Sequence, residues 1–283
     1  MYFNMRKSIK RFISCVAVTA LTLCIFTGCG TTEIKPKVEG MDTGSSSDKI
    51  SGESGLIDDG VLKVAMEIGY PPFEYYDDDG STPTGIDVDL GKAIADQMGI
   101  EAEFLDTGWD GIFAGLTKGD YDCIISGVTI TPDRLAEFSF SDSYIKNYIC
   151  VVTNTDADKK PASLEELEGL KVAYQEETTA DIFITDYAKA HDIKFDANEY
   201  AKVINCFDDM KLGRVDAVVC DSSVAQKYIS EGAFEITWEQ DSDPEEFGIC
   251  VKKDNIVLVD RLNKALATLQ ANGTVDDILK KYL

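Results

Sequence analysis

Apolar positions along the chain follow two rhythms. VLKVAM (61–66) alternates tightly and reads as a strand. DVDLGKAIADQMG (87–99) instead puts Leu90 and Ile94 on one helical face, opens on Asp87 and Asp89 and stops at Gly99. The pattern continues with a strand at EAEFLD (101–106), a helix at WDGIFAGLTKG (109–119) and a strand at YDCIISG (121–127). Beyond Tyr148 it resumes with LKVAYQ (170–175), the helix TTADIFITDYAKA (178–190), a short IKF (193–195), NCFDDMKLG (205–213), VDAVVCD (215–221) and SSVAQKYIS (222–230). FGICVKK (247–253), a long helix over 256–273 and VDDILKKYL (275–283) close the chain. Strand–helix alternation in two rounds predicts an α/β protein with two sheets, each built from βαβ units. A short internal echo agrees with two lobes: Gly119-Asp120-Tyr121-Asp122 and Gly213-Arg214-Val215-Asp216 each precede four mainly apolar residues.

The first 28 residues follow neither rhythm. Arg6, Lys7, Lys10 and Arg11 precede an apolar run from Phe12 to Phe26, with no acid in the segment. That run is shorter than the roughly 20 residues a spanning helix needs and suits a signal sequence. Phe26-Thr27-Gly28-Cys29 is similar to a bacterial lipobox, which predicts lipidation of Cys29 and removal of residues 1–28. The alternative is an ordinary secretory signal in which Cys29 is incidental. Residues 30–55 are rich in Gly, Ser, Thr and charge and lack the apolar surface to fold, so 29–55 reads as a lipid-bearing tether.

With 51 Asp+Glu against 27 Lys+Arg, the net charge of −24 opposes unassisted binding to nucleic acid or an anionic membrane surface. Removing the four basic residues of the signal deepens it to 23 − 51 = −28. Five cysteines remain beyond Cys29: Cys123, Cys150, Cys206, Cys220 and Cys250. Four lie in apolar runs, as buried thiols do, and neither CxxC nor Cys/His spacing marks a metal site.

In open α/β sheets ligands collect where strands end and the next helices begin. That rule selects Glu67 to Phe73, Ser126 to Arg134, Gln175 with Thr178-Thr179, and Asp221-Ser222-Ser223. Together they offer one Arg, hydroxyl and N–H donors, carboxylates and aromatics, a set suited to a zwitterion with an organic side chain. A Ser/His/Asp set and a phosphate loop are absent from them, and no cofactor is implied.

YPPFEY (70–75), GIDVDLGKAIADQMG (85–99), the run from Trp109 to Ile145 containing SGVTITPDR, and the closing ANGTVDDILKKYL resemble the polar amino-acid solute-binding proteins of ABC importers. The resemblance spans Leu56 to Leu283. It implies a periplasmic-binding-protein-like type II fold whose two lobes close over one amino acid. Lobe one would take residues 56–147 plus 247–283 and lobe two 148–246, with crossings near Lys146–Tyr148 and Glu246–Gly248. It further implies that Arg134 holds the ligand carboxylate, with Thr129 and Thr179 completing the cradle, and that Asp221 pairs with the ammonium, helped by Gly127 and Ser126. Tyr70 and Trp109 would flank the side chain, with Phe73 walling the pocket or supporting Tyr70. Plainer roles compete: Asp221 as a helix N-cap, Trp109 as core, Arg134 in a surface ion pair.

Glu67 matches a position at which basic and amide amino-acid binders of the family carry an acid, and Gln175 suits a polar tip. A carboxylate beside aromatics favours a cationic tip and disfavours glutamate or aspartate. The expected order is Arg, Lys, ornithine or His, then glutamine, then cystine or cysteine, since WDGIFAGL is also similar to cystine binders. The implied role is a monomeric, lipid-anchored extracytoplasmic receptor serving ABC transporter membrane subunits, and not an enzyme. Two alternatives are a dehydratase on the same fold and a sensor module signalling through a separate membrane protein.

Overall fold

A computed structural model of the chain describes residues 53–230 and 232–283. The signal segment, Cys29 and the tether up to residue 52 lie outside the described residues. The described part begins with β1 (Val61–Met66), the hairpin strands β2 (Tyr75–Tyr76) and β3 (Pro83–Thr84), α1 (Ile86–Met98), β4 (Glu101–Asp106), α2 (Trp109–Lys118), β5 (Cys123–Ile124), α3 (Pro132–Glu137) and β6 (Phe138–Phe140). After β7 (Ile145–Asn147) come β8 (Ile149–Asn154), β9 (Lys171–Gln175), α4 (Thr179–His191), β10 (Asp196–Tyr200), α5 (Val203–Lys211), β11 (Ala217–Asp221), α6 (Ser222–Ile229) and β12 (Phe234–Glu239). The chain returns through β13 (Glu245–Phe247) to β14 (Cys250–Lys252), α7 (Ile256–Ala271) and α8 (Thr274–Tyr282).

Two five-stranded sheets result, ordered β4-β1-β5-β14-β6 and β10-β9-β11-β8-β12. Each forms one lobe of a two-lobed α/β fold. The expected βαβ units supply only the parallel part of each sheet, β4-β1-β5 and β10-β9-β11. The rest is antiparallel: β14 and β6 in the first lobe, β8 and β12 in the second. β8 follows β7 directly and β14 follows β13, so both enter their sheets from the paired crossing strands. β7 and β13 run antiparallel, with Glu245 opposite Asn147 and Phe247 opposite Ile145.

The inner strands of both sheets are buried on both faces, as parallel strands between helices must be. Along β1, Leu62, Val64 and Met66 join the cluster containing Leu90 and Ile94 of α1 and Leu258 and Leu262 of α7. Ala65, between them, joins the opposite cluster with Ile112 and Leu116 of α2. In the second lobe Val172, Tyr174 and Val219 pack with Ala180 and Ile184 of α4, while Ala173 and Val218 face the α5 and α6 side. Truncating a buried residue such as Ile94 to Ala costs roughly 2–5 kcal/mol. The third strand of lobe two forms not on IKF but on Asp196–Tyr200, an exposed edge whose carboxylates discourage pairing with another chain. Among the described residues the five cysteines, Cys123, Cys150, Cys206, Cys220 and Cys250, are free and buried.

One glycine fixes the start of α1. Gly85 has φ 126°, and a Cβ there would sit 2.2 Å from the Phe73 carbonyl oxygen. The backbone from Pro72 to Phe73 thereby accepts the N–H groups of Ile86 and Asp87 at 3.0 and 2.9 Å, which anchors the 70–75 turn to α1.

Candidate functional site

The C-terminal ends of β1 and β5 form the first wall. Glu67 follows β1, and its N–H donates to Ser126 Oγ at 3.0 Å, while Ser126 in turn donates to Glu74. Gly127 N–H donates to Asp87 Oδ2 at 2.8 Å, and the Tyr144 hydroxyl donates to the same oxygen at 3.0 Å. Glu74 and Asp87 are fully buried neighbours. Burial and the nearby Asp87 charge hold Glu74 well above the usual carboxylate range, whereas Asp87, pushed up to about 6 by burial, is eased by its bonds to Gly127, Tyr144 and Glu74. Burial side by side favours the protonated form of Glu74, and the pair's bonds to Ser126, Gly127 and Tyr144 pin the Ser126-Gly127 turn from behind. Gly127 takes φ 53°, the left-handed region.

Arg134 is placed by a short helix. The Thr131 hydroxyl caps α3 by accepting the Arg134 N–H at 3.1 Å, and Pro132 opens the helix. The guanidinium then turns back to donate to the Thr129 carbonyl at 2.9 Å. It lies 5.4 Å from the Trp109 ring and 5.2 Å from the Phe113 ring, so two aromatic faces hold its plane. A surface ion pair does not describe it: it lines the cavity, and burial lowers its pKa.

Lobe two contributes the starts of α4 and α6. Thr178 caps α4 by accepting the Asp181 N–H at 3.2 Å and donates to the Gln175 carbonyl at 2.8 Å, so Thr179 begins the helix at the cavity wall. Its hydroxyl lies 3.3 Å from that of Thr129 in the other lobe. Asp221 occupies the N-cap position of α6, yet its side chain makes no capping bond. It accepts instead from the Tyr70 hydroxyl across the cleft and from Asn147 Nδ2 at 2.8 Å. Burial, then repulsion from Glu245, pushes Asp221 up to about 8, partly offset by those two donors and Arg134.

These residues line one shared cavity between the two lobes. Its lining contains Glu67, Tyr70, Trp109, Ser126, Gly127, Thr129, Arg134, Gln175, Thr179 and Asp221, together with Thr178. Phe73 is the exception among the candidate residues. It is fully buried, with its ring 6.0 Å from Tyr70 and 5.3 Å from Phe247, so it supports Tyr70 from behind. Trp109 is not only core, because its indole N–H crosses the cleft to the Glu177 carbonyl at 3.2 Å.

The cavity carries opposite chemistry at two places. Glu67 is 3% exposed and accepts from Gln175 Nε2 at 2.6 Å through Oε2. Burial pushes it up to about 7, while the Gln175 bond and the Lys202 charge pull the other way. Glu67 Oε1 and Gln175 Oε1 are both buried without a donor among the described residues. Arg134 feels a different set of charges, Glu245 and Asp221. One region thus offers acceptors only, and another a guanidinium and helix-start donors beside the Asp221 carboxyl.

Sequence reasoning passed over Asn147, Lys202 and Glu245. Lys202 extends from the start of α5 to the Ile68 carbonyl at 2.8 Å. Glu245 Oε2 accepts from Thr129 and from Thr179, each at 3.2 Å. All three stand in segments without periodicity, where only the tertiary fold assigns a partner. Among the described residues no group of three or more His, Cys, Asp and Glu could hold a metal ion, and no helix is long and apolar enough to cross a membrane.

The model of the bacterial extracellular solute-binding proteins, family 3, matches residues 62–283. ABC transporter arginine-binding protein 1 of Escherichia coli (strain K12) is 32% identical over 227 residues, covering 78% of this chain and 90% of that protein. The L-cystine-binding protein TcyJ of the same organism is 28% identical over 225 residues, covering 79% and 82%. Among solved structures, an ancestral arginine-binding protein bound to arginine superposes with a TM-score of 0.74 at 36% identity, covering 79% of this chain and 98% of that one.

Proposed function

The chain belongs to family 3 of the bacterial extracellular solute-binding proteins, and from that premise we propose that it captures a basic amino acid, arginine foremost, for an ABC importer. The observation that carries the choice of ligand is the pair of buried, undonated oxygens on Glu67 and Gln175. A guanidinium consists only of donors and a positive charge, so it satisfies both oxygens, whereas a carboxylate tip adds like charge to a desolvated acid. Arg134, the Thr129 N–H and the start of α4 take the α-carboxylate, and Asp221 takes the α-ammonium. Tyr70 and Trp109 flank the side chain.

Capture works by closure. Arg134 and Thr129 belong to lobe one, Asp221, Gln175 and Thr179 to lobe two, so one amino acid bridges both and favours the closed state. The membrane subunits of the transporter read that closure. The chain has no chemistry of its own in this reading, and Cys29 carries the lipid that keeps it extracytoplasmic at the membrane. Incubation with a cyclohexadienyl acid tests for dehydratase activity, and turnover would refute the receptor role. Replacing Cys29 by Ser should release the protein from membranes, and retention would refute the anchor.

Glutamine is the second reading, supported by Lys202 beside Glu67: a carboxyl that protonates near neutrality also accepts an amide tip. Calorimetric titration with arginine, lysine, ornithine, histidine, glutamine and cystine ranks the ligands. Arginine is expected to bind at least tenfold tighter than glutamine at pH 8, and the reverse order would overturn the assignment.

A further inference from the structure

The two ends of the recognition site meet at one pair of residues in the crossing strands. Asn147 ends β7 and Glu245 begins β13, and they are register partners. Neither is in the lining of the ligand cavity itself, while Glu245 lines the adjoining one together with Trp109, Arg134 and Thr179. Asn147 is 1% exposed and uses both ends of its amide. Nδ2 donates to Asp221 Oδ1 at 2.8 Å and to the Tyr148 carbonyl at 3.1 Å, and Oδ1 accepts the Ser223 N–H at 3.2 Å. Asn147 thus supplies the α6 cap that Asp221 does not make, which leaves the Asp221 carboxylate turned to Tyr70 and the cavity. Glu245 does the corresponding work at the other end. Its Oε2 accepts one hydroxyl from lobe one, Thr129, and one from lobe two, Thr179.

The geometry points to Asn147 and Glu245 as a positioning pair that ties lobe closure to amino-acid capture. Resting on the reading that the cavity takes an amino acid, the pair acts on the residues that meet both of its charged groups. When the lobes separate, Thr129 and Thr179 part and Glu245 can keep at most one of them. The two hydroxyls meet on Glu245 only in the closed arrangement, and with their single protons given to Glu245 they leave the cradle to the Arg134 guanidinium and the backbone N–H groups of Thr129 and Thr179. A residue anchored in the crossing strands therefore favours closure and orients the cradle at once. Arg134 and Asp221 lie within the same field, since Glu245 raises one and is itself held down by the other: its carboxylate repels that of Asp221, while Arg134 offsets part of the burial penalty on Glu245.

The test uses the full chain with Glu245→Ala, Glu245→Gln and Asn147→Ala, and Glu246→Gln as the neighbouring control. Glu246 is half-exposed and pairs only loosely with Lys146, at 3.8 Å. Arginine affinity and dissociation rate are measured by calorimetry and stopped-flow fluorescence of Trp109. Lobe separation is measured by distance labels with and without arginine. Glu245→Ala and Asn147→Ala are each expected to weaken arginine by roughly tenfold, chiefly through faster dissociation, as loss of buried hydrogen bonds to charged groups does. Both should also lower the closed fraction. Glu245→Gln keeps an oxygen that can accept both hydroxyls and should restore affinity to within about threefold, a rescue that expects the acceptor geometry to matter more than the charge.

Wild-type affinity, dissociation rate and closed fraction in both Ala variants would overturn the proposal, as would equal losses in Glu245→Gln and Glu245→Ala. If the wild type bound no amino acid, the ligand reading would fail, and the closed fraction of the ligand-free variants would still decide the role of the pair. A melting temperature lowered equally in Glu246→Gln and Glu245→Ala, with closure unchanged, would also count against it.

Discussion

Replacing Glu67 by Gln removes one charge from the acceptor-only region and leaves its shape. In the ligand-free protein Glu67 titrates at about 7, so about one tenth of it is ionised at pH 6 and about nine tenths at pH 8. A cationic tip needs the ionised form, whereas an amide tip is accepted by either. Arginine affinity should therefore fall by roughly tenfold between pH 8 and pH 6 on account of Glu67 alone. Asp221, titrating near 8, must also ionise to meet the α-ammonium, but it does so for every amino acid. The ratio of arginine to glutamine affinity cancels that contribution and isolates Glu67. Calorimetry at pH 6, 7 and 8 should show the ratio rising by roughly tenfold in the wild type and staying flat in Glu67→Gln. At pH 7 arginine binding should release about half a proton from Glu67 itself, read by repeating the titration in buffers of different ionisation enthalpy. A flat wild-type ratio, or a Glu67→Gln protein that keeps the pH-dependent preference, would refute the reasoning.

Further outcomes follow from the same geometry. Arg134→Ala and Asp221→Asn should each abolish detectable binding in calorimetry while circular dichroism stays native, and wild-type affinity in either would move the ligand elsewhere. Ligand-free stability should fall as pH rises from about 4 to 8 on account of the buried carboxyls. Glu67, Asp87 and Asp221 each titrate higher folded than their ordinary 4.5 or 3.8, so the folded state holds more protons over that window. A melting temperature that climbs steadily across it would contradict the assignments, and saturating arginine should recover stability most near pH 8. Trp109 bonds across the cleft to Glu177, so its fluorescence should change on arginine addition, and a silent Trp109→Phe variant identifies the reporter.

Much of this architecture was legible in local pattern because local forces determine it. The α1 helix follows from its apolar face at Leu90 and Ile94 and its stop at Gly99, and Arg134 and Asp221 follow from the rule that sites gather at strand ends. The first-turn reading of Asp87 captured only its place in the helix, since its burial against Glu74 depends on the distant 70–75 turn. The antiparallel strands β8 and β12 were missed because ICVVTN and FEITWE show no helix partner in sequence, and pairing with each other across the sheet defines them. Asn147 and Glu245 were illegible for a stronger reason. Single polar residues in three-residue strands carry no period, and their roles exist only where two lobes and two crossings converge. The charge of −24 likewise said nothing of the site, which depends on a few buried carboxylates among many solvated ones.

The central claim is that this cavity captures a free amino acid, and a thermal-unfolding titration of ligand-stripped protein tests it most directly. Arginine at 100 times its Kd should add about 2.7 kcal/mol of stability, with glutamine and cystine shifting the transition less and glutamate not at all. A melt that no amino acid, ornithine or cystine moves would contradict it.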